Sequence, residues 1–166
     1  MERGDNILND LTDQMRQAVD AALSAHAGRP GALLPILHDV QHALRYIPPA
    51  AVPVIADALN LSRAEVHGVI SFYRHFRLSE PGRRLVQVCR AEACQAMGAD
   101  RLLEHAQKSL GCGLHQTSSD GAVTLEPVYC LGQCAVGPAV MMDDALHGRV
   151  DAARFDALIA LQEVQQ

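Results

Sequence analysis

Two close cysteine pairs constrain what this chain can fold into. Cys89 and Cys94 are separated by four residues, and thirty-five residues further on Cys130 and Cys134 are separated by three. Together they hold four of the five cysteines in the chain. Each pair follows a stretch that reads as a β-strand. Leu85, Gln87 and Cys89 alternate with Val86 and Val88, and Val123, Leu125 and Val128 lead into Cys130. In an open α/β sheet ligands gather at the strand ends along one edge. Two strands ending at the same edge would bring both pairs into one place, and four thiolates around one centre suit a metal or a cluster.

The rest of the chain reads as helices before these strands and α/β structure around them. Ile7, Leu8, Leu11, Met15, Val19 and Leu23 recur at helical spacing, with Asp5 or Asn6 as the cap. Gly28 to Gly31 breaks that helix. A second carries Leu33, Leu37, Val40 and Leu44 on one face and ends at Tyr46-Ile-Pro-Pro49, because proline disfavours helical backbone at the residue before it. A third spans residues 49–59. Ser62 and Glu65 form a capping-box pattern for a fourth, expected to run from Arg63 to about Phe76. Leu78 to Gly82 is the linker. A helix over residues 98–110 stops at Gly111, Ser118 to Gly121 marks a turn, Val140 to Met142 is a further strand, and Asp151 caps a last helix with Phe155, Leu158 and Ile159. The expected organisation is a helical bundle over residues 1–78 and an α/β domain over 83–166.

Composition narrows the partners. The 166 residues carry a net charge of -5 with no Lys/Arg block, which argues against nucleic acid or an anionic membrane, since phosphate binding needs clustered positive charge. No secretory signal and no apolar run of spanning length is visible, so a cytoplasmic chain without direct membrane contact is expected. In that reducing compartment paired cysteines serve as metal ligands or redox groups more often than as disulfides.

The spacing fits structural zinc, whose cysteine pairs are commonly two to four residues apart. It also fits an iron–sulfur cluster. The neighbours favour the cluster: Ala91, Ala93, Ala96 and Gly98 surround the first pair, and Gly132, Ala135 and Gly137 the second. Small residues let backbone N–H groups approach cluster sulfur closely, and should let the chain wrap tightly enough to exclude water. Neither pair has the two-residue spacing of a thiol–disulfide redox motif. Four cysteines serving only as small buried apolar residues would not cluster at strand ends.

Longer motifs surround the cysteines. Tyr46-Ile-Pro48, Ala58-Leu-Asn-Leu-Ser62, Val66-His-Gly-Val69, Ser71-Phe-Tyr73 and Glu126-Pro-Val-Tyr-Cys130 accompany Cys89, Cys94 and Cys130-Leu-Gly-Gln-Cys134. Over residues 30–145 the chain resembles the thioredoxin-like [2Fe-2S] ferredoxin subunits, the family of the 24-kDa subunit of NADH:quinone oxidoreductase. Within it, the loop Cys89 to Gln95 and the run Leu125 to Cys130 look most like the gamma subunit of NAD-dependent, molybdenum-containing formate dehydrogenases. Arg45 departs from the family pattern, which has glycine before the Tyr-Ile-Pro turn. The resemblance implies a thioredoxin-like domain behind a helical bundle, with Cys89, Cys94, Cys130 and Cys134 holding one [2Fe-2S] cluster. It implies a larger iron–sulfur partner subunit that binds FMN and NAD, a molybdenum-containing catalytic subunit in the full complex, and no catalytic residue on this chain. Equivalent subunits of hydrogenases and respiratory complexes share most of the motif.

Other residues are read more plainly. Cys112 is a small residue at a helix end. His38 and His42 share a helical face without a third ligand, so a solvated or partner-facing pair is expected. Phe72 and Phe76 should share a core face, leaving Tyr73 as an interface candidate. No P-loop, nucleophile elbow or dinucleotide fingerprint is present.

Overall fold

A computed structural model describes residues 11–163. The expected cap at Asp5 or Asn6 and the positions Ile7 and Leu8 lie outside them. The chain divides between Glu80 and Pro81 into two compact units.

The first unit is helical. Its elements are α1 (Asp13–Ala25), α2 (Leu33–Leu44), α3 (Ala51–Leu59) and α4 (Arg63–Phe72). Thr12 caps α1, its side chain accepting the Met15 N–H at 3.3 Å. Arg45 ends α2 in the left-handed region at φ 69°, the conformation that glycine adopts without cost. Ser62 and Glu65 cap α4 reciprocally: the Ser62 hydroxyl accepts the Glu65 N–H at 3.2 Å, and the Glu65 carboxylate accepts the Ser62 N–H at 2.8 Å. The core is aliphatic, built on Val19, Ile36, Leu37, Val40, Ile55 and Val66.

The fourth helix stops at Phe72, four residues short of the expected end. The buried amide of Gln41 supplies the reason. Its Nε2 donates to the His75 carbonyl at 2.8 Å, and its Oε1 accepts the Arg77 N–H at 2.9 Å. Ile47 N–H adds a bond to the Arg77 carbonyl. These bonds draw the chain after Tyr73 onto the end of α2 and out of helical geometry. The helical spacing of Phe72 and Phe76 is lost with it. Phe76 is buried, whereas Phe72 is 78% exposed, which corrects the expected shared core face. Phe72 instead stacks edge-on with Tyr73, centroids 5.1 Å apart.

The second unit contains β1 (Arg84–Cys89), α5 (Glu92–Ala96), α6 (Ala99–Leu110), β2 (Gln116–Thr117), β3 (Val123–Val128), β4 (Val140–Met142), β5 (Ala145–His147) and α7 (Ala152–Glu163). The five strands form one mixed sheet in the order β2-β3-β1-β4-β5. The central strand β1 pairs parallel with β3 and antiparallel with β4. Val86 and Val88 of β1 pack with Leu125, Met142, the α6 residues Leu102, Leu103 and Ala106, and Phe155 of α7. Asp151 caps α7 by accepting the Arg154 N–H at 2.8 Å. Cys112 is buried in this core just past the Gly111 helix stop.

Candidate metal centre

Parallel pairing of β1 with β3 decides where the cysteines go. The register sets Cys89 opposite Val128, so both strands run out at the same edge. Cys89 is the last residue of β1, and Cys130 follows the end of β3 by two residues. Cys94 lies inside the short α5, and Cys134 opens a short 3-10 turn, Cys134–Val136. The chain between Val136 and β4 passes through a cis peptide bond at Gly137–Pro138.

The thiols stand as two pairs in one neighbourhood. Cys130 and Cys134 have their sulfurs 3.8 Å apart, and Cys89 and Cys94 lie together in one buried cluster. The loop of the second pair crosses the first, since Leu131 packs against the buried cluster of Cys89, Cys94, Ala99 and Ala139. Among the described residues no three His, Cys, Asp or Glu side chains close on a single point.

Backbone donors surround the sulfurs. Burial raises the Cys89 thiol, but the Ala91 N–H, the Cys94 thiol and the N–H groups of Leu131 and Cys130 together bring it below the ordinary thiol value. Cys94 is pushed up by burial and by its bond with Cys89, against the pull of the Ala139 N–H. Cys134 is pushed up by its hydrogen bond with Cys130 and by charge there. Gly132 N–H points at Cys130 Sγ from 3.4 Å. Cys130 itself sits at φ 111°, which turns its amide toward Cys89.

The donor set fits a thiolate-bound iron–sulfur group. Such a group is anionic and needs N–H groups directed at sulfur with no side chain in the way. Gly137 leaves that room, because a Cβ there would stand 3.3 Å from Cys94 Sγ. One expectation is corrected. Cys89 and Cys94 are buried, but Cys130 and Cys134 are exposed, so the small-residue loops do not shut water out of the second pair. Gly132 and Ala135 beside them are exposed as well, and small side chains cannot cover sulfur.

The histidine candidates belong to the first unit. His38 and His42 are exposed, and the His38 ring contacts His75 and Phe76 rather than His42. The backbone donors Ala91, Leu131 and Ala139 escaped sequence reasoning, because an N–H group leaves no residue-type signature.

The chain belongs to the thioredoxin-like [2Fe-2S] ferredoxin family, whose profile matches residues 19–163. That family carries one [2Fe-2S] cluster, which is the cofactor the donor set fits. The chain is 34% identical over 145 residues to an E-type subunit of the NADH-quinone oxidoreductase of Rhizobium meliloti, covering 87% of this chain and 86% of that one. It is 29% identical over 132 residues to the HndA subunit of the NADP-reducing hydrogenase of Solidesulfovibrio fructosivorans, covering 80% of this chain and 77% of that one. Its fold also matches the crystal structure of an NAD+-reducing [NiFe]-hydrogenase in the H2-reduced state, with a TM-score of 0.68 and 25% identity. That match covers 81% of this chain but spans only 22% of the hydrogenase chain.

Proposed function

We propose that this chain is an electron-transfer subunit of an NAD-linked oxidoreductase, with Cys89, Cys94, Cys130 and Cys134 as the ligands of its [2Fe-2S] cluster. The observation that carries the reading is the meeting of two thiol pairs at the shared edge of β1 and β3. When bound, the cluster supplies single-electron transfer. The protein's part is to hold four thiolates, to aim the N–H groups of Ala91, Leu131, Cys130 and Gly132 at sulfur, and to keep side chains clear at Gly137. The exposed Cys130 and Cys134 leave one side of the site at the surface, where a redox partner can approach.

The partner in this reading is a larger FMN- and NAD-binding subunit, as suits relatives named for NADH-quinone oxidoreductase and NADP-reducing hydrogenase. The finer assignment is the gamma subunit of a cytoplasmic, molybdenum-containing formate dehydrogenase. Its support is the loop Cys89 to Gln95 and the run Leu125 to Cys130. Among the described residues no helix is long and apolar enough to cross a membrane.

Metal analysis of the chain purified without oxygen tests the cofactor. Two irons and two sulfides per chain, EPR-silent until reduced, are expected, and their loss in Cys89→Ser and in Cys130→Ser. Zinc without sulfide, or unchanged spectra in both variants, would sink the ligand assignment. Purification of the intact complex tests the finer reading. Formate-dependent NAD reduction with molybdenum present supports it, and activity with hydrogen or quinone in its place overturns it.

A further inference from the structure

A cavity of about 360 Å3 opens on the second unit, walled by Met97, Gly98, Arg101, Gly137, Pro138 and Arg149. It shares a wall with the cysteine site. A Cβ on Gly137 would stand 3.2 Å from Met97 Sδ and 3.3 Å from Cys94 Sγ. The chain leaving Cys134 ties in the other side, since the Arg149 N–H donates to the Val136 carbonyl.

Two arginines, Arg101 and Arg149, line this cavity. The Arg101 guanidinium lies across Gly98, its Nη2 3.2 Å from where a Cβ would be. Neither Arg101 nor Arg149 is paired with a carboxylate among the described residues. One carboxylate, that of Asp151, shares the cavity with them. Asp151, on the rim, accepts the Arg154 N–H of its own helix, and Asp100 is held by Arg90 at 3.2 Å. Two cations against one carboxylate around one concavity leave a net positive potential that an anion relieves. Guanidinium forks match the oxygens of phosphate bidentately.

We propose that this cavity binds a phosphate-class oxyanion through Arg101 and Arg149, and that its occupancy is coupled to the redox state of the centre held by the four cysteines. The coupling half rests on the electron-transfer reading above. Adding an electron makes the centre more negative, so an anion across the Gly137 wall binds the reduced chain less tightly. Linkage is reciprocal, so the anion lowers the reduction potential. A tenfold difference in affinity between the two redox states corresponds to about 59 mV for a one-electron couple.

The test uses the full chain with its cluster assembled, at fixed pH and ionic strength. Calorimetric titration of the oxidised chain with inorganic phosphate should give saturable binding. Arg101→Gln and Arg149→Gln should each weaken it, and the pair together by about tenfold or more. An EPR-monitored reductive titration should show the midpoint falling with phosphate in the wild-type chain and not in the double variant. Both arginines are exposed, and far-UV circular dichroism checks that the variants fold. Absent binding, or binding unchanged in the double variant, overturns the site. An equal midpoint shift in wild type and variant overturns the coupling. A chain without a reducible signal defeats the electron-transfer reading, yet the calorimetry still decides the site. A normal signal without phosphate binding defeats the site alone.

Discussion

Gly137 and Cys94 come within contact distance beside the candidate metal site: a β-carbon at position 137 would lie 3.3 Å from the Cys94 sulfur. The glycine is there for space, since its own φ is -65° and any residue could adopt that backbone. Gly137→Val should therefore leave the secondary structure intact and crowd the site. Overpacking of this kind costs about 1–3 kcal/mol. Iron content per chain should fall severalfold while far-UV circular dichroism is unchanged, and full iron retention would refute the account.

The two pairs differ in what they contribute to folding. Cys94 is buried beside Cys89, Ala99 and Ala139, so Cys94→Ser replaces a close-packed sulfur with a smaller and more polar hydroxyl. In the cluster-free chain this should cost about 1–3 kcal/mol, read as a lower urea midpoint. Cys134→Ser, at an exposed position, should leave that midpoint nearly where it was. Both substitutions should lower the iron content.

His75 gives the first unit a pH dependence. Its pKa is held below the ordinary histidine value by burial of part of the ring, then by the neighbouring His38 and Arg77. The unfolded chain thus binds a proton more readily than the folded one as pH falls through about 6.5. Stability from this group is full above that value and declines below it, down to the folded pKa. Solvent screens the effect, because the residue as a whole lies exposed at the surface. Protection factors of the α2 and α4 amides, corrected for the intrinsic pH dependence of exchange, should fall between pH 7.5 and pH 5.5, and His75→Gln should flatten the trend. Glu65 and Asp120 act at lower pH. Hydrogen bonds from Ser62 and Ser118 hold their carboxyls below the ordinary value, so that contribution is lost only in stronger acid.

Phe155 fixes α7 onto the sheet. It is fully buried among Val86, Met142 and Val150. Phe155→Ala should destabilise the second unit by about 3–5 kcal/mol, seen as a lower denaturant midpoint for loss of the visible chromophore. An unchanged midpoint would mean that α7 does not anchor the sheet.

Local signals carried most of the fold into the sequence. The Ser62–Glu65 box, the Gly111 stop and the Asp151 cap are formed as their residue types require. The valine-rich alternation of β1 and the approach of β3 to Cys130 were visible too, and with them the meeting of the cysteine pairs. Elements shorter than the period that would betray them were not visible. The strands β2 and β5 span two and three residues, and α5 spans five around Cys94. Tertiary hydrogen bonds were also silent. Gln41 reads as a polar helix position, yet it ends α4 early by binding backbone more than thirty residues away. Arg45 stood out as a departure from glycine, and the structure accepts that departure at a backbone cost of about 1 kcal/mol.

The uneven exposure of the cysteines gives maturation of this chain a direction. Cys89 and Cys94 are set by a strand and a helix beneath the surface, whereas Cys130 and Cys134 lie on the outside of a loop. On the proposed ligand assignment, a carrier delivering iron and sulfide would meet the outer pair first. The same arrangement sets the order of damage: peroxide or molecular oxygen reaches the outer sulfurs before the inner ones, so the loop is where a stripped chain would first need repair.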